Sequence, residues 1–278
     1  MTTRKTAVAG AFYPGTIKEI DMFLKTFFHA VKNDTDFQKE KEELVKNIHG
    51  FIVPHAGWMY SGPVAIYAYD LLKELNKIKE KENKPKIKKI IMLGPNHTVY
   101  INVAAIDTNE YWETPLGKVK VLKTDINHEI VVYNNMPHLQ EHDLEVNVPF
   151  LQTILGNNIE ILPIIVGDVG DEGAEQPADL FIKEYADKED TLFIISTDLS
   201  HQLPQETANK KDRNTIDIIR NLDFEKTFEM DACGRNPIIV AMYMCKKLNV
   251  KPKLLKYATS GDVTGDLDAV VGYASLVF

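Results

Sequence analysis

Three histidine-bearing turns carry the residues best suited to chemistry. Pro54-His55-Ala56-Gly57 follows the apolar run Phe51 to Val53, Gly94-Pro95-Asn96-His97 follows Ile90 to Leu93, and Ser196-Thr197-Asp198-Leu199-Ser200-His201 follows Leu192 to Ile195. Imidazole is the commonest transition-metal ligand, and two imidazoles on rigid supports leave coordination positions open once an anionic donor joins them. Cys233, in Ala232-Cys233-Gly234-Arg235-Asn236-Pro237, is the best third donor. A helix begun by Pro237 would lower its thiol pKa through the positive end of the dipole, and Arg235 would add to that effect. Asp198 and His201, three apart, suit an orienting carboxylate and a proton-transfer base. Glu141, His142 and Glu145 form a further cluster from which one side chain is expected to face the crevice, although Glu145 also suits the first turn of a helix. The plain alternatives are a satisfied structural histidine for His55 and His97, a small buried hydrophobe for Cys233 and a turn cap for Asp198.

These turns can meet only if the strands before them lie side by side. The three runs named above, with Ile161 to Val166, are too short for buried helices and read as buried strands. Helical spacing separates them. One helix is expected over about Ile17 to Val31, with Ile20, Phe23, Leu24, Phe27 and Phe28 inward. Another is opened by Ser61 as N-cap and Pro63, with Val64, Tyr67, Ala68, Leu71, Leu72 and Leu75 on one stripe. Further helices are expected over Leu144 to Leu155 and Pro237 to Leu248, where Cys245 falls on the core stripe with Ile238, Ala241, Met242 and Leu248. Strands interleaved with helices imply a largely parallel sheet covered on both faces, whose ligand crevice lies at the carboxyl ends of the strands. The segment Ala269 to Val277 reads as an edge or antiparallel strand. No repeat or linker divides the chain, so residues 1–278 are expected to form one domain.

Composition narrows the function classes. The chain has 278 residues, 44% hydrophobic and 26% charged, and at this length burial suffices without a disulfide or metal staple, so a metal would serve chemistry. A net charge of −8 argues against a nucleic-acid partner and against a polybasic membrane anchor. Two cysteines and a polar amino-terminal segment point to the cytoplasm. The eight lysines between Lys73 and Lys89 read as a solvated helix end and loop. Asp262 and Asp266 suit a Gly/Asp-rich turn, and His29, His49, His128 and His138 read as surface or structural. Phosphate-binding glycine loops, the hydrolase serine elbow and paired Cys-x-x-Cys motifs do not occur.

Read in order, the motifs Ala9-Gly-Ala-Phe-Tyr-Pro14, Pro54-His-Ala-Gly-Trp-Met-Tyr-Ser-Gly62, Gly94-Pro-Asn-His97, Glu141-His142 with Glu145 and Pro149-Phe150, Ser196-Thr-Asp-Leu-Ser-His201, Cys233-Gly-Arg with Pro237, and Val271-Gly-Tyr-Ala274 resemble the Memo family, whose bacterial and archaeal members are called AmmeMemoRadiSam system protein B. The resemblance implies a fold similar to the class III extradiol ring-cleaving dioxygenases: a single-domain, three-layer α/β/α sandwich around a mixed, largely parallel sheet. It implies metal-binding histidines at His55 and His97, a site cysteine at Cys233, and Asp198 and His201 in the same pocket. The ring-cleaving relatives hold non-haem Fe(II) with two histidines and a glutamate, where this chain offers a thiolate. Asp143 stands where serine is expected in many members. The expectation is therefore a cytoplasmic redox or dioxygenase-like protein with Fe(II), or copper or zinc, at His55, His97 and Cys233, and with His201, oriented by Asp198, as base toward an unidentified small-molecule or peptide ligand. Two other functions fit the same residues: a cysteine-nucleophile hydrolase, with Cys233 attacking and His201 as base, and a non-catalytic adaptor presenting the pocket to a peptide or protein. The family name also implies association with a radical-SAM system.

Overall fold

The four apolar runs form the middle of one sheet. The computed structural model describes residues 2–278. Its strands are β1 (Thr3–Arg4), β2 (Gly50–Val53), β3 (Lys89–Gly94), β4 (Ala104–Ile106), β5 (Tyr111–Thr114), β6 (Gly117–Val121), β7 (Val131–Tyr133), β8 (Glu160–Val166), β9 (Thr191–Ser196), β10 (Lys253–Thr259) and β11 (Gly272–Val277). Its helices are α1 (Ile17–Asn33), α2 (Thr35–Leu44), α3 (Trp58–Lys81), α4 (Val148–Leu155), α5 (Glu175–Tyr185), α6 (Gln205–Asn221), α7 (Arg235–Leu248) and the single turn α8 (Gly261–Thr264). The order across the sheet is β1-β5-β6-β8-β3-β9-β2-β11-β10, with β4 joining the outer edge of β8 and pairing β7 beyond it. The central strands β8, β3, β9 and β2 are mutually parallel, while β11 runs antiparallel to both β2 and β10. The closing segment is thus an antiparallel strand one place in from the edge.

Side-chain alternation along the central strands builds two cores. Phe51, Val53, Ile90, Met92, Leu192 and Ile194 face a layer containing α1, α2, α3 and α4. Ile52, Ile91, Leu93, Phe193 and Ile195 face the layer of α5, α6 and α7. Successive strand residues point to opposite faces, and both faces are covered, so the runs are continuously apolar rather than alternating. Each fully buried aliphatic or aromatic side chain of this kind contributes roughly 1.5–3 kcal/mol. The result is the expected α/β/α sandwich. No described helix is long and apolar enough to cross a membrane.

Three helix starts differ from expectation: the helix expected from Leu144 begins at Val148 after a 3-10 turn over Glu145–Asn147, and two others bear on the site. Helix α3 begins at Trp58, three residues before the expected cap at Ser61, with Gly57 at its N-cap. The carbonyl of Phe12 accepts the Trp58 amide at 2.7 Å, and Ser61 instead donates its hydroxyl back to the Ala56 carbonyl at 2.7 Å. The earlier start draws the helix right up to the His55 turn. Helix α7 likewise begins at Arg235 rather than Pro237, with Gly234 as its cap directly after Cys233.

Gly94, the last residue of β3, is required by its neighbours. An added Cβ would overlap the Asp143 carboxyl and approach Leu144 Cδ2 to 2.8 Å. Gly94→Ala is therefore expected to cost about 1–3 kcal/mol, read as a lowered urea midpoint. In an Asp143→Ser background the loss should shrink, because the shorter side chain clears most of the overlap. Equal losses in the two backgrounds would contradict this packing.

Candidate metal centre

The three histidine-bearing turns meet because β3, β9 and β2 are neighbours in that order and point the same way. His55 leaves the carboxyl end of β2, His97 that of β3, and Asp198 that of β9. Cys233 arrives from the opposite layer at the start of α7. Gly234 allows the approach: a Cβ there would lie 2.6 Å from Thr197 Cβ, and its amide donates to Thr197 Oγ1 at 3.0 Å. The Cys233 amide donates to the Asp198 carbonyl at 3.3 Å, and Cys233 Sγ lies 3.2 Å from His55 Nε2. One ligand atom from each of His55, His97 and Cys233 falls within 4.8 Å of the others. A second such set, sharing His97, is His97, Glu141 and His142. The rings of His55, His97 and His142 lie 5.0 to 5.3 Å apart, centre to centre.

Hydrogen bonds fix which nitrogen of each ring is free. Tyr69 donates to Asn147 Oδ1 at 2.7 Å, which orients the Asn147 amide so that its NH2 reaches Ser196 Oγ at 3.2 Å. Ser196 gives its own hydrogen to the Asp143 carbonyl at 2.8 Å. Its oxygen can then only accept from His55 Nδ1, 2.9 Å away, which leaves the lone pair of His55 on Nε2 facing Cys233. For His97 the acceptor is Glu141: Oε1 takes Nδ1–H and Oε2 the main-chain amide, both at 2.8 Å. Burial pushes the Glu141 carboxyl up, but hydrogen bonds from His142 and His97 outweigh it and hold the group well below the usual carboxylate range. Burial, helped by the neighbouring imidazoles, holds His55 well below the usual histidine range, in the neutral form that binds metals.

Three expectations about individual residues are corrected. The Cys233 thiol is not pulled down by its helix: burial and the Asp198 carboxylate push it well up, and Arg235 is engaged elsewhere, donating to Asp171 at 2.6 Å and to the Thr227 carbonyl at 2.9 Å. Asp198 does not orient His201. Its Oδ1 accepts the amides of His55 at 2.8 Å and Ala56 at 3.3 Å, so it shapes the His55 turn, and burial raises its pKa. His201 is exposed on the loop beyond β9, within electrostatic reach of Asp198 and His55. Glu145 does not line the crevice. It is fully buried and accepts from Arg4 at 2.7 Å, from the amides of Ala7 and Val8, and from the Tyr13 hydroxyl at 2.9 Å, which ties the amino-terminal segment beneath the site.

Three contributors have no role in the sequence reading, although Ser196 and Phe12 lie within its motifs. Ser196, Asn147 and Phe12 do no chemistry by type alone; only the alternation that puts Ser196 on the face of Leu192 and Ile194 hinted that it would sit under His55. Phe12 packs on His142 at 4.6 Å and also walls a groove of about 590 Å³ with Met22, Phe23, Met59 and Tyr60. Asp262, the acidic turn residue, caps the Thr259 amide at 2.7 Å.

Fold and donor set together define an α/β sandwich with a two-imidazole, one-thiol cluster at its strand ends. A family model described as Memo-like protein matches residues 4–277. The chain is 38% identical over 290 residues to a MEMO1 family protein of Saccharolobus solfataricus and 36% identical over 290 residues to one of Sulfurisphaera tokodaii, each alignment covering 99% of both chains. To a MEMO1 family protein of Sulfolobus acidocaldarius it is 37% identical over 287 residues, 98% of both chains. The chain belongs to the Memo-like family. Among solved structures, an uncharacterized protein of Escherichia coli K12 aligns at TM-score 0.43 and 9% identity over 84% of this chain and 100% of the other, a likeness too remote to carry an argument.

Asp143, the departure from serine noted above, has a physical signature. Its side chain is fully buried, Oδ1 accepts the Leu144 amide at 2.7 Å and Oδ2 finds no partner among the described residues. Burial, reinforced by the Glu141 charge, raises its pKa well above the ordinary 3.8. The folded chain keeps this proton while the unfolded chain releases it near pH 4, so the stability linked to it is complete below that pH and falls as pH rises toward the folded value. Asp143→Asn removes the titration. Urea unfolding should show the variant gaining on the parent by up to about 1.4 kcal/mol per pH unit above pH 4 until the folded pKa is passed. A gap that stays constant between pH 5 and pH 7 would contradict the assignment.

Proposed function

We propose that this protein binds a transition metal, iron(II) foremost with copper or zinc as alternatives, through His55, His97 and Cys233, and acts in the cytoplasm as a redox or dioxygenase-like protein on a small organic or peptide ligand. The observation carrying this reading is that the three donors converge within 4.8 Å while fixed acceptors hold the Nδ1 hydrogens of both imidazoles. A metal-ligating histidine usually donates its other ring N–H to a carboxylate, a carbonyl or water, and Glu141 holds His97 in that way while the Ser196 hydroxyl does the same for His55. The donor chemistry also fits. A buried thiol beside a carboxylate resists ionisation on its own, and a divalent cation supplies the charge that makes it a thiolate.

Bound at these donors, such a metal supplies Lewis-acid and redox chemistry at the coordination positions they leave open. The chain does the rest. Asp198 clamps the turn that carries His55, and Ser196 fixes its ring. Glu141 fixes the ring of His97. His201, exposed on the loop beyond β9, would be the group to take a proton from a ligand held in the crevice. The groove behind Phe12 gives the apolar part of that ligand a wall of aromatic and methionine side chains. The same surroundings argue against a free nucleophilic cysteine, because burial and the Asp198 charge both favour the thiol over the thiolate.

Anaerobic titration with Co(II) and Fe(II) is the test. The parent is expected to bind one ion per chain, with a sulfur-to-cobalt charge-transfer absorption. Cys233→Ser should lose that absorption, His55→Ala should bind at least tenfold more weakly, and metal should protect Cys233 from alkylation. A parent that binds no ion, or a Cys233→Ser variant with an unchanged spectrum, would overturn the reading.

A further inference from the structure

One carboxylate at this centre serves two rings. Glu141 is 1% exposed and is held from behind by Arg4, whose Nη2 donates to the Glu141 carbonyl at 2.6 Å. Its Oε2 accepts the main-chain amide of His97 at 2.8 Å. Its Oε1 lies 2.8 Å from His97 Nδ1, 3.0 Å from the main-chain nitrogen of His142 and 3.1 Å from His142 Nδ1. An ionised carboxylate has no hydrogen to give, so His97 Nδ1 and the two main-chain amides donate to it. His142 Nδ1, in ion-pair contact at 3.1 Å, is favoured to carry its hydrogen because a lone pair there would face the negative oxygen. A neutral imidazole in water carries its hydrogen mainly on Nε2; beside this acceptor both rings carry it on Nδ1. The two rings then stack nearly parallel, 5.0 Å apart at 22°, with both Nε2 lone pairs directed away from Glu141.

We propose that Glu141 is a positioning residue that sets the Nδ1–H tautomer of His97 and His142 together, and that His142 thereby forms part of the ligand-binding face beside the cation rather than part of the packing. Three observations converge on this. The His142 side chain is 23% exposed, comparable with the 29% of His97 on the same carboxylate, so it is not sealed into the core. It packs on the Phe12 ring at 4.6 Å, and Phe12 also helps to wall the groove. Its ring lies as close to His55 as His97 does, 5.3 Å in both cases. The consequence for a metal rests on the metal-binding reading given above; the tautomer assignment does not.

The experiment is a long-range ¹H–¹⁵N correlation spectrum of the metal-free, ¹⁵N-labelled protein at a pH where the histidines are neutral, with rings assigned by His97→Ala and His142→Ala. In the parent, His55, His97 and His142 should all show the Nδ1–H pattern. In Glu141→Gln one acceptor oxygen replaces two; the His97 main-chain amide, which can only donate, requires that oxygen, and this turns the NH2 toward the rings as a donor. His97 and His142 should then both leave that pattern, while His55, set by Ser196, keeps it as an internal reference. Co(II) affinity should fall about 10- to 100-fold in the same variant, and Glu141→Asp, which keeps the charge, should recover part of the loss. An Nε2–H pattern for His97 or His142 in the parent overturns the proposal, as does an unchanged pattern for either ring in Glu141→Gln or a change in all three rings. Should Glu141→Gln fail to fold, the parent spectrum alone still decides the tautomers. Should the parent bind no Co(II), the metal reading fails while the ring patterns still judge this proposal.

Discussion

A hydrogen bond at Nδ1 decides which nitrogen of an imidazole can face a cation, and at this centre each such bond is made by a group that is itself buried and constrained. Ser196 can only accept from His55 because its hydrogen is committed to the Asp143 carbonyl, and Asn147, oriented by Tyr69, occupies its other approach. Glu141 can only accept because it is an anion surrounded by donors. The rest of the structure serves these two acceptors. Residue Ser196 is where it is because β9 lies between β2 and β3, and Glu141 is where it is because Arg4 and Glu145 anchor the loop that bears it. Arg4 donates to the His138 and Glu141 carbonyls and to Glu145 and lies 4.1 Å over the Trp112 ring, so the first described strand acts as a brace for the loop that bears Glu141. Removing either member of a buried pair such as Arg4 and Glu145 typically costs about 3–5 kcal/mol.

The central sheet was legible because its strands are buried on both faces and therefore read as short unbroken apolar runs ending in glycine, proline and histidine. The peripheral strands β4 to β7 and β10 were not, because three- to seven-residue strands near an edge carry mixed patterns set by tertiary contacts. Helix α6 was missed for a related reason: it is largely polar, and only Ala208, Thr215, Ile216, Ile218, Ile219 and a buried Asp212 face inward. In the site, His55, His97 and Cys233 could be picked out by residue type and by position after strands or before a helix. The roles of Asp198 and Glu145 could not. Both are carboxylates whose partners, the His55 amide and Arg4, lie more than 140 residues away in sequence, and spacing along the chain carries no record of such pairings.

The resemblance set the two-histidine, one-glutamate arrangement of the ring-cleaving dioxygenases beside a thiolate in this chain, and the atoms that converge with His55 and His97 include the Cys233 thiol. A carboxylate is also present: Glu141 accepts from Nδ1 and the main-chain amide of His97 and belongs to the second donor set with His97 and His142. The set that includes His55 is completed by Cys233 at the start of α7. A soft sulfur donor shifts preference toward iron, copper or zinc over harder cations. Its high resting pKa makes ionisation of Cys233 depend on the cation, so metal binding should release a proton and strengthen with pH.

The most direct measurement of the central claim is X-ray absorption at the zinc edge on protein loaded with one equivalent of Zn(II). Convergence of His55, His97 and Cys233 on one ion predicts a single sulfur scatterer at about 2.3 Å with imidazole nitrogens at about 2.0–2.1 Å. A shell of nitrogen and oxygen alone, with no sulfur, would contradict it.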